Sequence, residues 1–175
     1  MSQQPTIANS GGTRRFAGFP VAVQGVIVNP GEEILLLAHP QRRWGWEPIN
    51  GALEAGETVL AGVLRETREE AGSAVRVRPL GTIHAYTFQL DQQVTHMLGI
   101  SYLLAYEGGA INPGSDMAGS AYRWWKLEAL QDERDLLLPP LDQEWFLERA
   151  MALYRLWQDQ GIGGEMGSDV LPRIP

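Results

Sequence analysis

The chain contains no cysteine. That absence removes disulfide cross-links, thiolate nucleophiles and cysteine-held zinc. Histidine is scarce as well, with His39, His84 and His96 scattered along the sequence. A metal ion would therefore be held by oxygen, and oxygen donors suit hard cations such as magnesium or manganese. No apolar run approaches the roughly 20 residues needed to cross a bilayer, so no membrane association is expected. The N-terminal stretch MSQQPTIANSGGTRRFAG lacks an apolar core and does not read as a secretory signal. A cytoplasmic location is the expectation. Basic residues are outnumbered, 14 against 21 acids, for a net charge of −7. An acidic chain is poorly equipped to track a nucleic-acid backbone. Bound cations can still reverse the field locally and let such a chain hold phosphate.

What is present reads as one domain. The 175 residues are 44% hydrophobic and 20% charged, ordinary values for a globular protein with its own core. Residues 1–18 read as a polar tail, 19–160 as the domain and 161–175 as a second tail. FPVAVQGVIVNPGEEILLLAH predicts two β-segments about an Asn-Pro-Gly turn. PQRRWGWEPIN reads as a loop. VRVRPLGTIHAYTFQL and QQVTHMLGISYLLAYEG predict two more strands that turn near Asp91 and Gln92. YRWWKLEAL reads as a short strand entering a helical turn. LDQEWFLERAMALYRLWQDQ predicts an amphipathic helix with Trp145, Leu147, Met151, Tyr154 and Trp157 on its apolar stripe.

The chemistry concentrates in GALEAGETVLAGVLRETREEAG, Gly51 to Gly72. Thr58 is a good N-cap and Gly72 a good terminating glycine. On a helix between them, Leu60, Val63, Leu64, Thr67 and Ala71 form a stripe that would bury against a sheet. Glu66, Glu69 and Glu70 then crowd together on the neighbouring face, with Arg65 one turn before Glu69. Each like-charge pair at this spacing costs a helix about 0.2–0.5 kcal/mol. A solvated charged face explains Arg65 and Arg68 but not that triplet. A divalent cation would turn the repulsion into binding, because converging carboxylates are suitable magnesium ligands. Glu54 and Glu57 precede the helix, and Gly51 and Gly56 would let backbone approach a ligand closely. A metal beside such a loop is equipment for phosphoryl or pyrophosphate chemistry.

This stretch resembles the signature of the Nudix (MutT-like) hydrolases. Gly51, Glu57, Arg65, Glu66, Glu69, Glu70 and Gly72 all fall in its register, a specific match. Thr67 and Ser73 stand where the signature has bulky aliphatic residues. The resemblance implies an α/β fold, an α/β/α sandwich around a mixed sheet. It implies metal-dependent hydrolysis of a nucleoside diphosphate linked to another moiety, so the expected partner is a nucleotide-derived small molecule. Carried over, Glu66, Glu69 and Glu70 become metal ligands or the base that activates water, and Arg65 orients them. Glu57 becomes a supporting acid that pairs with Arg65 or a metal, and the Gly51 carbonyl a further ligand. A Nudix-fold module that senses a nucleotide without cleaving it is the alternative. An RNA-cap hydrolase is a third reading that the acidic composition does not favour.

The resemblance has two departures. The approach to the signature reads PINGA, with Asn50 where many members have glycine. The loop before the late tryptophans offers only Asp116 as a fourth acid. Ahead of the signature, Arg42 and Arg43 are candidates for phosphate. Trp44 and Trp46 are open between stacking on a base and ordinary packing. His84, His96 and Glu107 read as structural or solvated. Trp124, Trp125, Trp145 and Trp157 read as core or interface, and six tryptophans in a modest domain motivate a homodimer. Neither the proline about fifteen residues after the signature that marks ADP-ribose enzymes nor the tyrosine slightly further on that marks dinucleoside polyphosphate enzymes stands at its place, where the region reads YTFQLDQQ, so the substrate is left open.

Overall fold

Alternating residues of the first long β-segments bury on opposite sides, and this sets the architecture. The computed structural model describes residues 6–40 and 45–158. Strands β3 (Val21–Val28) and β4 (Glu33–Ala38) meet about the expected turn. Val26, Val28, Ile34 and Leu36 enter one apolar cluster, while Val23, Ile27, Leu35 and Leu37 enter the other. That is the period-two pattern of a sheet covered on both faces.

The expected strand pair is present as β7 (Arg76–Phe88) and β8 (Met97–Gly108), antiparallel, with Asp91 Oδ1 accepting from the backbone N–H of Gln93 and Val94 at the turn. β8 runs parallel to β3. β9 (Ala121–Lys126) pairs with β4. The sheet is therefore mixed. Helix α1 (Val59–Glu66) covers one face through Val63. Helix α3 (Glu144–Trp157), with α2 (Leu127–Asp132) before it, covers the other through Phe146, Leu147, Ala150, Met151 and Tyr154. The result is the expected α/β/α sandwich.

Three expectations need correction. The loop before the signature contains two strands, β5 (Trp46–Glu47) and β6 (Ile49–Ala52). β6 pairs with β3, placing Gly51 opposite Val23 and Asn50 opposite Gln24. Gly51 is thus a strand residue. The polar tail holds a hairpin, β1 (Thr6–Ala8) with β2 (Arg15–Ala17), because Ile7 and Phe16 face each other across a connection from Asn9 to Arg14 in which Asn9 Oδ1 accepts from Arg14 N–H. Trp145 is 44% exposed, since the adjacent Phe146 takes the core position. Trp125 is buried, and Trp124 and Trp157 pack against the two clusters. Residues 161–175 and the candidates Arg42, Arg43 and Trp44 lie outside the described residues. Among the described residues no helix is long and apolar enough to cross a membrane.

Candidate active site

Helix α1 begins as its sequence dictates. Thr58 Oγ1 accepts from Ala61 N–H at 3.1 Å. Its end is less regular. From Thr67 to Ala71 the backbone widens to a π-turn, closed by Gly72 at φ 114°. Such widenings recur at functional sites. Gly72 also faces a close neighbour, since a Cβ there would stand 2.8 Å from the Asn112 carbonyl oxygen. The 111–117 loop docks at that point. Asn112 N–H donates to the Ala71 carbonyl at 2.8 Å and Gly114 N–H to the Glu70 carbonyl at 3.2 Å.

The π-turn separates glutamates that a regular helix would keep on one face. Glu70 turns inward with Thr67 and Ala71 and is 3% exposed. Glu69 stays outside, its side chain 44% exposed. Thr67, the departure from the aliphatic pattern, is accommodated in the core because its hydroxyl donates to the Val63 carbonyl at 2.7 Å.

Arg65 organises the other acids. Its Nε donates to Glu57 Oε1 at 2.8 Å, and its Nη1 to Glu66 Oε1 at 2.7 Å and Glu69 Oε2 at 3.1 Å. Its Nη2 reaches the Ala52 carbonyl at 3.0 Å. This guanidinium fork is fully used. Pairing with Glu57 raises the arginine's pKa, and the same bonds lower that of Glu57. Burial raises the Glu66 carboxyl, against the pull of Arg65.

Glu70 is the most perturbed acid of the cluster. Burial pushes its carboxyl up to about 8, and Asp116, Glu66 and Glu47 push in the same direction. Only the Asn50 N–H, donating to Glu70 Oε2 at 2.8 Å, opposes them. Asp116 is therefore within electrostatic reach of the cluster. Glu47 was not singled out in the sequence. Nothing local marks it, because Trp46, Glu47 and Pro48 follow one another without the alternation of a strand.

The β6 strand touches every part of this arrangement. Gly51 abuts Glu66 so closely that a Cβ would stand 2.0 Å from Oε1. Asn50 binds Glu70 through its backbone and Glu47 through its side chain, Nδ2 to Oε2 at 3.1 Å. Glu47, Asn50 and Gly51 also line a cleft of about 850 Å³. The apolar lining of that cleft comes from Tyr86, Phe88, Leu90 and Met97 on one side and from Leu138, Pro139 and Pro140 before α3. Trp46 is not part of it. That ring packs edge-on against Trp125, centroids 5.3 Å apart, in the cluster under α3. His84 and His96 make ring contacts, with Tyr86 and Trp145 and with Phe19 respectively.

Among the described residues, no three acids or histidines are already gathered around one point as a cation would require. The oxygens of Glu66 and Glu69 are turned to Arg65 instead. The donor chemistry nonetheless fits a hard cation. Glu66, Glu69 and Glu70 offer carboxylate oxygens on one short segment, and the missing Cβ at Gly51 leaves room for its backbone beside them.

Residues 18–146 match the family model described as NUDIX domain, and the chain belongs to that family. Among curated proteins it is 34% identical over 106 residues to the NAD-capped RNA hydrolase NudC of Chromobacterium violaceum, an alignment covering 60% of this chain and 37% of that protein. It is 35% identical over 106 residues to NudC of Pseudomonas aeruginosa, covering 60% and 36%. The chain thus spans little more than a third of the length of these relatives. Among solved structures, the MutT protein of Methanosarcina mazei superposes with a TM-score of 0.61 at 24% identity, covering 75% of this chain and 92% of that one. A UDP-X diphosphatase superposes with a TM-score of 0.62 at 17% identity, covering 82% and 66%. At these identities the structures establish the fold alone.

Proposed function

We propose that this chain is a pyrophosphohydrolase that cleaves a nucleoside diphosphate from the moiety it carries, by attack of water at phosphorus. The observation that carries this reading is the position of β6, which lines the cleft with Asn50 and Gly51 and contacts Glu70 and Glu66 with the same two residues. A ligand in the cleft would place its diphosphate beside the glutamates.

In this reading Glu66, Glu69, Glu70 and the Gly51 carbonyl hold magnesium or manganese. When bound, the ion holds phosphate oxygens and lowers the pKa of water. Arg65 spaces Glu57, Glu66 and Glu69 through its guanidinium. A glutamate of the cluster takes the proton from the attacking water. Asp116 adds negative charge near Glu70 and serves as the fourth acid. The cleft holds the substrate's organic part away from bulk water.

The likeness to NAD-capped RNA hydrolases supports testing NAD-type dinucleotides first, free or at an RNA 5′ end. The acidic composition favours the free form. The test is a panel of NAD, NAD-capped RNA, ADP-ribose, dinucleoside polyphosphates, nucleoside triphosphates and coenzyme A, each with magnesium. Cleavage at a diphosphate, releasing a mononucleotide or phosphate product, is the expected result. Binding without cleavage across the panel, with either metal, would replace this reading with the sensor module.

A further inference from the structure

Helix α3 is apolar on two sides. Its core side carries Phe146, Leu147, Ala150, Met151 and Tyr154. Its outer side carries Trp145, Arg149, Ala152 and Leu156, which follow one another at steps of four, three and four and so form one seam. All four are exposed, Trp145 by 44% and Leu156 by 54%. Two large apolar side chains therefore face solvent, one near each end of the helix. Trp145 is held in place there. Its ring meets His84 edge-on with centroids 4.9 Å apart and Phe146 at 5.8 Å, and the Arg149 guanidinium stands 5.7 Å from its centroid. A half-exposed tryptophan whose rotamer is already fixed loses little entropy on binding and is a typical interface anchor.

This seam matches itself. At 1.5 Å per residue, Trp145 and Leu156 lie about 16 Å apart along the helix. Two copies packed antiparallel about a two-fold axis at the middle of the seam put each Trp145 beside the partner's Leu156. Each Arg149 then lies beside the partner's Ala152, whose small side chain leaves room for the arginine stem. The charges at the ends agree with that direction. Glu144 stands in the first turn and Arg155 in the last. Antiparallel packing brings each Glu144 near the partner's Arg155, whereas parallel packing sets like charges together. Within one chain these two residues hold exposed ion pairs, Glu144 with Arg134 at 2.9 Å and Arg155 with Glu32 at 2.6 Å. Exposed pairs contribute little, so a partner's charge can join or replace them.

We propose that the outer face of α3 is an interaction surface for a second copy of this chain, packed antiparallel along the seam from Trp145 to Leu156. Size and charge that complement themselves under a two-fold axis favour an identical partner over an unlike one. Trp145 and Leu156 are the anchors, and each is buried twice in the pair. The seam residues are absent from the cleft lining, so the association needs neither nucleotide nor metal.

The experiment is sedimentation equilibrium of the full chain at micromolar concentration, with melting temperature as a folding check. The parent should be a dimer. Trp145→Ala and Leu156→Glu should each raise the dissociation constant at least about tenfold, the scale for losing an interface anchor. Tyr122→Glu, at an exposed site on β9, should leave it unchanged. Direction is read by disulfide trapping, which the absence of native cysteine makes unambiguous. In the antiparallel pair the two copies of residue 152 are offset by about 4.5 Å along the helices, within disulfide reach, and those of residue 144 by about 20 Å. Ala152→Cys should therefore cross-link under mild oxidation and Glu144→Cys should not. A monomeric parent, a dimer that folded Trp145→Ala and Leu156→Glu leave intact, or cross-linking of Glu144→Cys would overturn the proposal.

Discussion

Replacing Glu70 with glutamine separates what the carboxylate costs the fold from what it contributes to chemistry. In the metal-free protein its carboxyl sits near pKa 8, raised chiefly by burial from an ordinary 4.5. A raised folded-state pKa means that the folded state binds the proton more tightly than the unfolded state. Its stabilising effect is complete below about pH 4.5 and is lost as pH rises through 8. At about 1.4 kcal/mol per pKa unit, the ionised form carries a penalty of at most about 5 kcal/mol above that point. Glutamine keeps an oxygen for the Asn50 N–H, and its new N–H donors face the acids of Asp116, Glu66 and Glu47. In the presence of chelator, Glu70→Gln should therefore melt about as the parent does at pH 5. At pH 9 it should be more stable by about 1–4 kcal/mol, roughly 3–10 °C in Tm for a chain of this size. Glu69→Gln should show no such pH-dependent gain, because Glu69 is largely exposed and holds only a surface ion pair with Arg65. With magnesium, Glu70→Gln should lose at least about a hundredfold in turnover, the scale for removing one transition-state-stabilising group. Exposed Glu148 on α3, changed to glutamine, is the control. If Glu70→Gln melts at or below the parent at pH 9, the carboxylate is not a repelled, desolvated acid and the reasoning fails.

Gly51→Ala should retain the fold, because the atom it meets is the far end of the flexible Glu66 side chain. Its turnover should nevertheless fall strongly, and parental kcat in that variant would show that Glu66 need not stand there. Trp46→Ala should cost about 2–3 kcal/mol through lost packing on Trp125 and leave KM unchanged; a raised KM at unchanged stability would return Trp46 to the binding site. We also propose that the chain is a homodimer, which sedimentation at micromolar concentration checks; a monomer there would remove the proposal.

The parts of this fold that were legible in the sequence are those decided locally. Thr58 and Gly72 bound the signature helix because a hydroxyl cap and a positive φ are short-range requirements. The alternation in β3 and β4 names two buried faces without knowledge of their partners. The helix face of Glu66, Glu69 and Glu70 was legible only on the assumption of a regular α-helix. The π-turn, which buries Glu70 and leaves Glu69 outside, has no marker in TREEA. Gly51 read as a loop residue because Pro48 and Asn50 mimic turn chemistry, whereas pairing with β3 makes that segment a strand. The cleft was illegible for a different reason. Tyr86, Gln24 and Leu138 are far apart in sequence and meet only because β3, β7 and the segment before α3 converge. The stacking role weighed for Trp44 and Trp46 was sought close to the signature. The described aromatic residues of the cleft, Tyr86 and Phe88, come from β7.

The most direct test of the metal-centred account is a calorimetric titration of manganese into the metal-free protein at pH 7, repeated in buffers of different ionisation enthalpy. Glu70 is mostly protonated at that pH in the absence of metal, and a cation must displace that proton to bind its oxygens. The account predicts saturable binding with release of about one proton, and Glu70→Gln should show weaker binding and lose most of the proton release. Absence of binding, or binding of equal strength and equal proton release in Glu70→Gln, would contradict it.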